Sequence, residues 1–358
     1  MSIKLRQVLA AAGLRGEAVE WSDVFVAHSL GAVPPPTNAE AHENRHRGFY
    51  LVLLDARGTP THFCKCRPVT DNELAHETAL LEILCREPRL RTVLPETRGV
   101  RTAQVCMQIS AYLPGPVYLR EVGRQSDAAW AQSMREILAT ANLLADCATA
   151  RVPSLVANPG PLRLEKLGSG PLSDLGRVGL TAERAEALEA AMQQAGPLGR
   201  RVQHGDLFPG NIIRWAGSWW LFDLARYGWC QVPMFDAYHL VRTCCDLRQD
   251  DHGPRAVGGW YEQMAAANCL ATTAQRTLAW AAGQLGLTPG QCIGALAYYS
   301  VDLTARLLGR GSPERVWGPF RADTERLADA LRAGEPVEGV FFGVRPASAS
   351  RSEFTDER

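Results

Sequence analysis

The sequence predicts an α+β protein with two lobes, in which a small antiparallel sheet comes first along the chain and a larger, mostly helical lobe follows. Two observations support this prediction. β-branched and aromatic residues are concentrated in 49–66 and 102–110, whereas apolar residues at helical spacing prevail beyond residue 116. The expected domains are an N-terminal lobe over 1–108, a helical C-terminal lobe over 116–344 and a mobile polar tail over 345–358.

The N-terminal lobe is expected to contain a sheet and one helix. Strands are predicted at 24–27, 49–54, 61–66 and 102–110. Residues 55–60 separate the second strand from the third, and their Gly and Pro are typical of a turn. The Thr-Asp-Asn-Glu sequence at 70–73 has the form of a capping box, so the apolar residues of 74–84 are expected to lie on a helix.

The C-terminal lobe shows the helical period in several segments. Helices are predicted at 127–147, 181–195, 288–307 and 320–333. The second of these stops before Gly196, and the third has Pro289 in its first turn, where a missing N–H is tolerated. Residues 153–180 contain several Pro and Gly and are expected to form a loop.

A hairpin inside the helical lobe carries the residues with the clearest chemistry. Strands at 211–215 and 218–222 flank a two-residue turn, so Asn211 is expected to start one strand and Asp223 to end the other. Both side chains would then lie at one edge, where they can share a cation. Asp206 precedes Asn211 by five residues. A carboxylate base with two hard oxygen ligands is the set that phosphoryl transfer requires, although Asp and Asn are also common turn residues.

The sequence His-Gly-Asp-Leu-Phe-Pro-Gly-Asn at 204–211, with Leu-Phe-Asp-Leu at 221–224, resembles the aminoglycoside phosphotransferase and choline kinase group, relatives of the protein kinases. The resemblance implies a protein-kinase-like fold that uses ATP and Mg²⁺. It also implies that Asp206 is the catalytic base and that Asn211 and Asp223 hold the Mg²⁺ ion.

Two further residues are expected to support this site. The Pro-Met-Phe-Asp-Ala sequence at 233–237 is similar to the group's Pro-x-x-Asp segment, which implies that Asp236 begins a helix and braces the catalytic loop. His204 is expected to be a packed, hydrogen-bonded brace rather than an acid or base, since geometry and not residue type identifies a general base.

A kinase-like fold also needs a strand lysine that reaches the nucleotide phosphates and a helix glutamate that pairs with it. Lys65 lies in the predicted strand 61–66, and Glu77 lies on the helix that follows. Glu82 is the rival glutamate on the same helix. The alternative for Lys65 is a surface lysine on an edge strand, a common protection against strand aggregation.

The strand 102–110 followed by Tyr-Leu-Pro-Gly resembles the hinge between the lobes in the same group, which implies a hinge over 109–115. An adenine edge is matched by one backbone donor and one backbone acceptor, so Ile109, Ala111 and Leu113 are the candidate contacts. An ordinary strand exit with a Pro-Gly turn is the alternative. The glycine-rich loop of protein kinases is absent; Arg45 and Arg47 could cover the phosphates, or they could lie on a solvated loop.

Composition agrees with a cytoplasmic enzyme. The 358 residues are 46% hydrophobic and 21% charged, and no segment approaches the roughly 18 consecutive apolar residues of a membrane span. The apolar run at 8–14 is too short for a signal peptide. Ten cysteines without a Cys-x-x-Cys pair suggest reduced thiols. We expect a small-molecule hydroxyl compound as partner, and neither nucleic acid nor a membrane.

Charge bears on the phosphate acceptor. The formal net charge is 0, whereas capture of a polycationic aminoglycoside favours a strongly acidic cleft. We therefore expect transfer of the γ-phosphoryl of ATP to a sugar or amino alcohol in preference to an aminoglycoside. The alternatives are a protein kinase, although only twelve residues separate Asp223 from Asp236 and no Ala-Pro-Glu motif lies between them, and a non-catalytic nucleotide-binding pseudokinase or scaffold.

Overall fold

The computed structural model of the protein describes most of the chain and divides it into two compact units. The residues described are 23–28, 49–69, 72–103, 105–152, 178–196, 198, 201–228, 232–250, 259–309 and 314–343. The first unit comprises Met1–Pro116, Asp146–Val156 and Ile213–Tyr227, and the second comprises Val117–Ala145, Ala157–Ile212 and Gly228–Arg358. Arg45 and Arg47, most of the predicted loop at 153–180 and the predicted tail lie outside the described residues.

The first unit is built on a five-stranded antiparallel sheet. Its strands are β1 (Asp23–His28), β2 (Phe49–Leu54), β3 (Pro60–Pro68), β4 (Thr97–Arg101) and β5 (Val105–Ala111), in the spatial order β1-β2-β3-β5-β4. Lys65 on β3 pairs with Tyr50 on one side and with Gln108 on the other. Because β3 is a central strand, the edge-strand interpretation of Lys65 is wrong.

Helix α1 (Asn72–Leu84) packs on this sheet next to β4 and β5. Its leucines are buried, as are Leu51 and Leu53, which alternate along β2 as expected for one face of a strand. The helix approaches β4 so closely that a Cβ at Gly99 would lie 2.5 Å from the Thr78 side chain. Gly99 is therefore required by the contact between helix and sheet.

A short hairpin also belongs largely to the first unit. Strands β6 (Ile212–Trp215) and β7 (Ser218–Leu221) are joined by Ala216 and Gly217, whose φ angles of 51° and 78° correspond to a type I′ turn. The Leu221 N–H donates to the Val93 carbonyl at 2.9 Å. The hairpin is thus attached through its second strand to the segment that leads into β4.

The second unit is helical. Its helices are α2 (Asp127–Arg151, of which the last turn belongs to the first unit), α3 (Ala182–Gln194), α4 (Phe235–Asp250), α5 (Trp260–Ala265), α6 (Cys269–Gln284), α7 (Pro289–Gly309), α8 (Glu314–Arg332) and α9 (Val337–Phe342). Helices α3, α7 and α8 pack on one another. Edge-to-face aromatic contacts fill the core, with Tyr299 beside Phe235 and Trp260 beside Phe341.

The predicted fold class is confirmed, since a small antiparallel sheet is accompanied by a mostly helical remainder. No helix in the described ranges is long and apolar enough to cross a membrane. Among the predicted boundaries that were wrong, two have a clear physical cause. The strand predicted at 102–110 begins at Val105. Residues 97–101 form the strand β4, which was not predicted. These residues are basic and contain a glycine, so their own composition does not favour a strand, and it is the pairing with β5 that makes them one.

The second boundary concerns α8, which begins at Glu314 and not at residue 320. Gly318 and Pro319 are poor helix formers and lie inside the helix. Proline removes only one backbone hydrogen bond near the N-terminal end. Leu327, Ala328 and Ala330 are buried farther along, so tertiary packing outweighs the local preference.

Candidate active site

Lys65, Glu77 and Asp223 form a charged cluster in the first unit. The Lys65 ammonium lies 2.7 Å from Glu77 Oε2 and 2.6 Å from Asp223 Oδ1. Lys65 is 8% exposed and Glu77 is fully buried, whereas the Asp223 side chain is 38% exposed. The cluster therefore consists of a buried ion pair with a second carboxylate that reaches solvent.

Glu77 also fixes the backbone that follows the hairpin. Its second oxygen, Oε1, accepts a hydrogen bond of 3.0 Å from the Leu224 N–H. Glu82, the rival glutamate, instead accepts the Gly99 N–H at 2.6 Å and so joins α1 to β4. Of the two glutamates, Glu77 is the one that the structure pairs with Lys65.

The pKa values in this cluster reflect burial and pairing. Burial by itself lowers the pKa of Lys65, but the carboxylates of Glu77 and Asp223 outweigh that effect and hold the pKa above its usual value. Burial raises the pKa of Glu77, while the Lys65 ammonium and the Leu224 N–H act in the opposite sense. Lys65 is therefore a fixed cation at neutral pH.

Asp223 has an unusual backbone conformation. Its φ and ψ angles are 62° and 60°, in the left-handed region, and the one-turn helix Leu224–Arg226 follows it. This conformation costs roughly 1–2 kcal/mol for a residue with a side chain, although Asp tolerates it better than most. The prediction that Asp223 ends a strand was wrong, because β7 ends at Leu221. The position of Asp223 is set by its contact with Lys65 and by the hydrogen bond from the Leu224 N–H to Glu77.

In the second unit, Asp236 holds the segment that contains Asp206. It lies at the start of α4, as expected, and its two oxygens accept the backbone N–H groups of His204 at 2.7 Å and Gly205 at 2.9 Å. The Gln203 side chain in turn accepts the Asp236 N–H at 3.0 Å. Burial raises the pKa of Asp236, while His204 and the two backbone N–H groups act in the opposite sense. These bonds give the turn before Asp206 one defined conformation.

Asn211 holds the same turn from its other end. Its side-chain Nδ2 donates to the Asp206 backbone carbonyl at 3.0 Å, which leaves Oδ1 as the oxygen that can act as a ligand. Asn211 was expected to start a strand, but it closes the one-turn helix Pro209–Asn211 and β6 begins at the next residue. Pro209 favours this turn because its φ is fixed and it needs no backbone donor.

The Asp206 carboxylate is 37% exposed and lies 3.5 Å from His239 Nε2. His239 was missed in the sequence, although it follows Asp236 by three residues and so shares a face of α4. Arg306 was missed as well; it donates to the Gly205 carbonyl at 3.2 Å. It pairs with Asp302 one turn earlier on α7. Nothing local in the sequence connects Arg306 with the segment at 204–206.

The three candidate adenine contacts differ in their backbone surroundings. Ile109 lies inside the sheet and pairs with β3 and with β4. The Ala111 N–H donates to the Glu96 carbonyl at 2.9 Å. Leu113 follows the strand, and its N–H has no partner within the described part of the chain. Leu113 is therefore the best placed of the three to donate to a ring nitrogen.

Each unit contains an oxygen donor of a kind that binds hard divalent cations. Asp223 offers a partly exposed carboxylate and Asn211 an amide oxygen. Mg²⁺ is characteristically held by one or two protein oxygens with phosphates and waters, and not by a cage of side chains. The described residues contain no group of three or more His, Cys, Asp or Glu that could hold a metal.

Residues 38–280 match the model of a family described as the phosphotransferase enzyme family, which is more than half of the chain. None of the curated proteins compared with the chain matches it.

Several solved structures are similar to the chain at low identity. A choline/ethanolamine kinase family protein from Mesorhizobium loti is 14% identical, with 96% of this chain and 98% of that chain covered and a TM-score of 0.48. A glucosamine kinase in complex with glucosamine, ADP and inorganic phosphate is 13% identical, with 92% and 86% covered and a TM-score of 0.48. An ethanolamine kinase from Plasmodium vivax is 9% identical, with 93% and 87% covered and a TM-score of 0.45.

Proposed function

Because the chain belongs to the phosphotransferase enzyme family and is therefore a kinase, we propose that it moves the γ-phosphoryl group of ATP to a hydroxyl of a small molecule. The observation that best supports this proposal is the buried Lys65–Glu77 pair with Asp223 as a second carboxylate. A cation fixed by a buried glutamate is suited to nucleotide phosphates, because its position is set before the ligand arrives.

The proposed roles follow from the local geometry. Lys65 binds the nucleotide phosphates and Glu77 orients Lys65. Asp206, on a turn braced by Asp236 and Asn211, orients the acceptor hydroxyl and accepts its proton. Asn211 and Asp223 would hold Mg²⁺, which neutralises the charge of the phosphates when it is bound. The adenine ring would be read by the backbone at Ala111 and Leu113.

The acceptor proposed is a sugar or an amino alcohol. The formal net charge of 0 favours a neutral or weakly charged acceptor over a polycationic one. We also propose a cytoplasmic location without nucleic-acid or membrane partners. Nine cysteines lie in the described part of the chain and each is a free thiol, as is usual in a reducing compartment.

The test is Mg²⁺-dependent ATP consumption across a panel of sugars, amino alcohols and aminoglycosides, with the phosphorylated product identified by mass. Wild type should turn over at least one acceptor. Asp206→Asn should lose turnover and keep nucleotide binding, because the amide cannot take the proton. Unchanged turnover in Asp206→Asn would refute the assignment of the base.

A second variant tests the metal role separately. Asp223→Asn should lose Mg²⁺-dependent nucleotide binding, measured by titration with and without the metal. Asp55→Asn is the matched control, since Asp55 lies in the turn between β2 and β3, where its Oδ1 accepts the Arg57 and Thr59 N–H groups and an amide oxygen can do the same. Equal nucleotide binding by Asp223→Asn and Asp55→Asn would contradict the metal assignment.

A further inference from the structure

A line of buried polar side chains in the second unit leads to Asp206. The first member, His239, is 6% exposed, and its Nε2 lies 3.5 Å from Asp206 Oδ1. Contacts of catalytic groups are often this long without substrate and shorten when it binds. The other ring nitrogen, Nδ1, lies 3.3 Å from the Tyr299 hydroxyl. The imidazole therefore contacts one polar group through each nitrogen.

The Asp206 end of the line determines the direction of its hydrogen bonds. An ionised carboxylate accepts hydrogen bonds and donates none, so a neutral His239 that contacts Asp206 through Nε2 carries its hydrogen on Nε2. Its Nδ1 is then an acceptor, and the Tyr299 O–H donates to it.

The nearest other carboxylate does not compete for His239. Asp236 precedes it by three residues on α4, but both oxygens of Asp236 are used by the backbone N–H groups of His204 and Gly205. The ring itself lies between Phe235 and Tyr299, with centroids 5.9 Å and 6.2 Å away. Position and tautomer of His239 therefore both favour donation to Asp206.

We propose that His239 is a positioning residue for Asp206, and that Tyr299 fixes its tautomer. This proposal rests on the proposed function. His239 Nε2–H holds Oδ1, so that Oδ2 receives the acceptor proton as the acceptor oxygen bonds to the γ-phosphorus. The bond from that phosphorus to the oxygen of the departing nucleoside diphosphate breaks in the same step, and His239 keeps its own proton throughout.

The kinetic test uses two variants of the full chain. His239→Leu removes the donor and should lower kcat by roughly tenfold to a hundredfold, with the KM for ATP little changed. His239→Gln places an amide N–H near the position of Nε2 and should recover most of that loss. A His239→Leu variant with wild-type kcat would overturn the proposal, and so would a His239→Gln variant as slow as His239→Leu.

A double-mutant comparison tests the tautomer and remains decisive if His239→Leu does not fold. Tyr299→Phe removes the donor to Nδ1 and should lower kcat several-fold in the wild-type background, since the imidazole is then free to change tautomer. In the His239→Gln background the same change should have no further effect, because an amide has no tautomer to fix. An equal loss in both backgrounds would overturn the proposal, because it would show a structural role for Tyr299.

Nitrogen-15 spectra give a readout that does not depend on turnover. The His239 signals, identified by their loss in His239→Gln, should show the Nε2–H tautomer in wild type and a mixture in Tyr299→Phe. An Nδ1–H tautomer in wild type would overturn the proposal. If Asp206→Asn retains turnover, the base assignment itself fails; if it loses turnover while His239→Leu does not, only the role of His239 fails.

Discussion

Replacement of Glu77 by glutamine should destabilise the first unit by about 3 kcal/mol. The two oxygens of Glu77 accept separate donors, Lys65 Nζ at 2.7 Å and the Leu224 N–H at 3.0 Å. A glutamine has one acceptor oxygen, so one donor loses its partner, at a cost of about 1–3 kcal/mol. Removing one member of a buried ion pair costs about 3–5 kcal/mol. Asp223 still contacts Lys65 at 2.6 Å, which places the expected total near the lower end of that range.

The measurement is urea unfolding at neutral pH, followed by tryptophan fluorescence and by circular dichroism. Glu82→Gln is the matched control, because it is the same change on the same helix. Glu82 accepts one backbone N–H, from Gly99, and the remaining glutamine oxygen can accept it too. Its cost should therefore stay below about 1 kcal/mol.

The comparison between the two variants decides the result. Equal unfolding midpoints for Glu77→Gln and Glu82→Gln would refute the reasoning, since they would show that the Lys65 ammonium does not depend on the Glu77 charge. A loss confined to Glu77→Gln would support a buried cation whose position depends on that carboxylate.

Three further predictions concern stability and its dependence on pH. Ala216→Asn should raise the free energy of unfolding by about 0.5–1 kcal/mol, because Asn accepts the φ of 51° more readily than Ala; a thermal melt that shows no gain would contradict the described turn. Burial raises the pKa of Asp323 from 3.8 to about 6. Between pH 3.8 and about pH 6 the Asp323 carboxyl is therefore protonated in the folded chain and ionised in the unfolded chain. As the pH rises through this range, the free energy of unfolding of the wild type should fall by about 3 kcal/mol relative to that of Asp323→Asn. If urea unfolding at several pH values gives the same difference in unfolding free energy between wild type and Asp323→Asn, this prediction is wrong. Asp236→Ala should lower the free energy of unfolding by about 2–4 kcal/mol, since two buried backbone N–H groups lose their acceptor. A clearly smaller loss in thermal unfolding followed by circular dichroism would contradict this prediction.

Much of the fold could be predicted from local pattern. The β-branched and aromatic residues of 49–54 predicted β2, and the helical period predicted α2, whose Trp130, Met134 and Ile137 are buried. Turn chemistry located the hairpin at Ala216 and Gly217. The strand β4 could not be predicted in this way, since its composition is ordinary for a loop and its pairing partner lies farther along the chain.

The residues of the candidate site also fall into two groups, those that local sequence indicates and those that only long-range contacts reveal. Sequence spacing picked out the turn with Asp206 and Asn211 and the aspartate after the hairpin, and the family resemblance added a lysine followed by a helix. Each of these is a local arrangement. Tertiary structure decided that Lys65 pairs with Glu77 and not with Glu82, that Asp223 takes a left-handed backbone, and that His239 faces Asp206. These outcomes depend on contacts between residues distant in sequence, which compete with and override local preference. The period of a helix or strand is set by neighbouring residues, whereas the partner of a buried charge is set by whichever elements the whole fold packs against it.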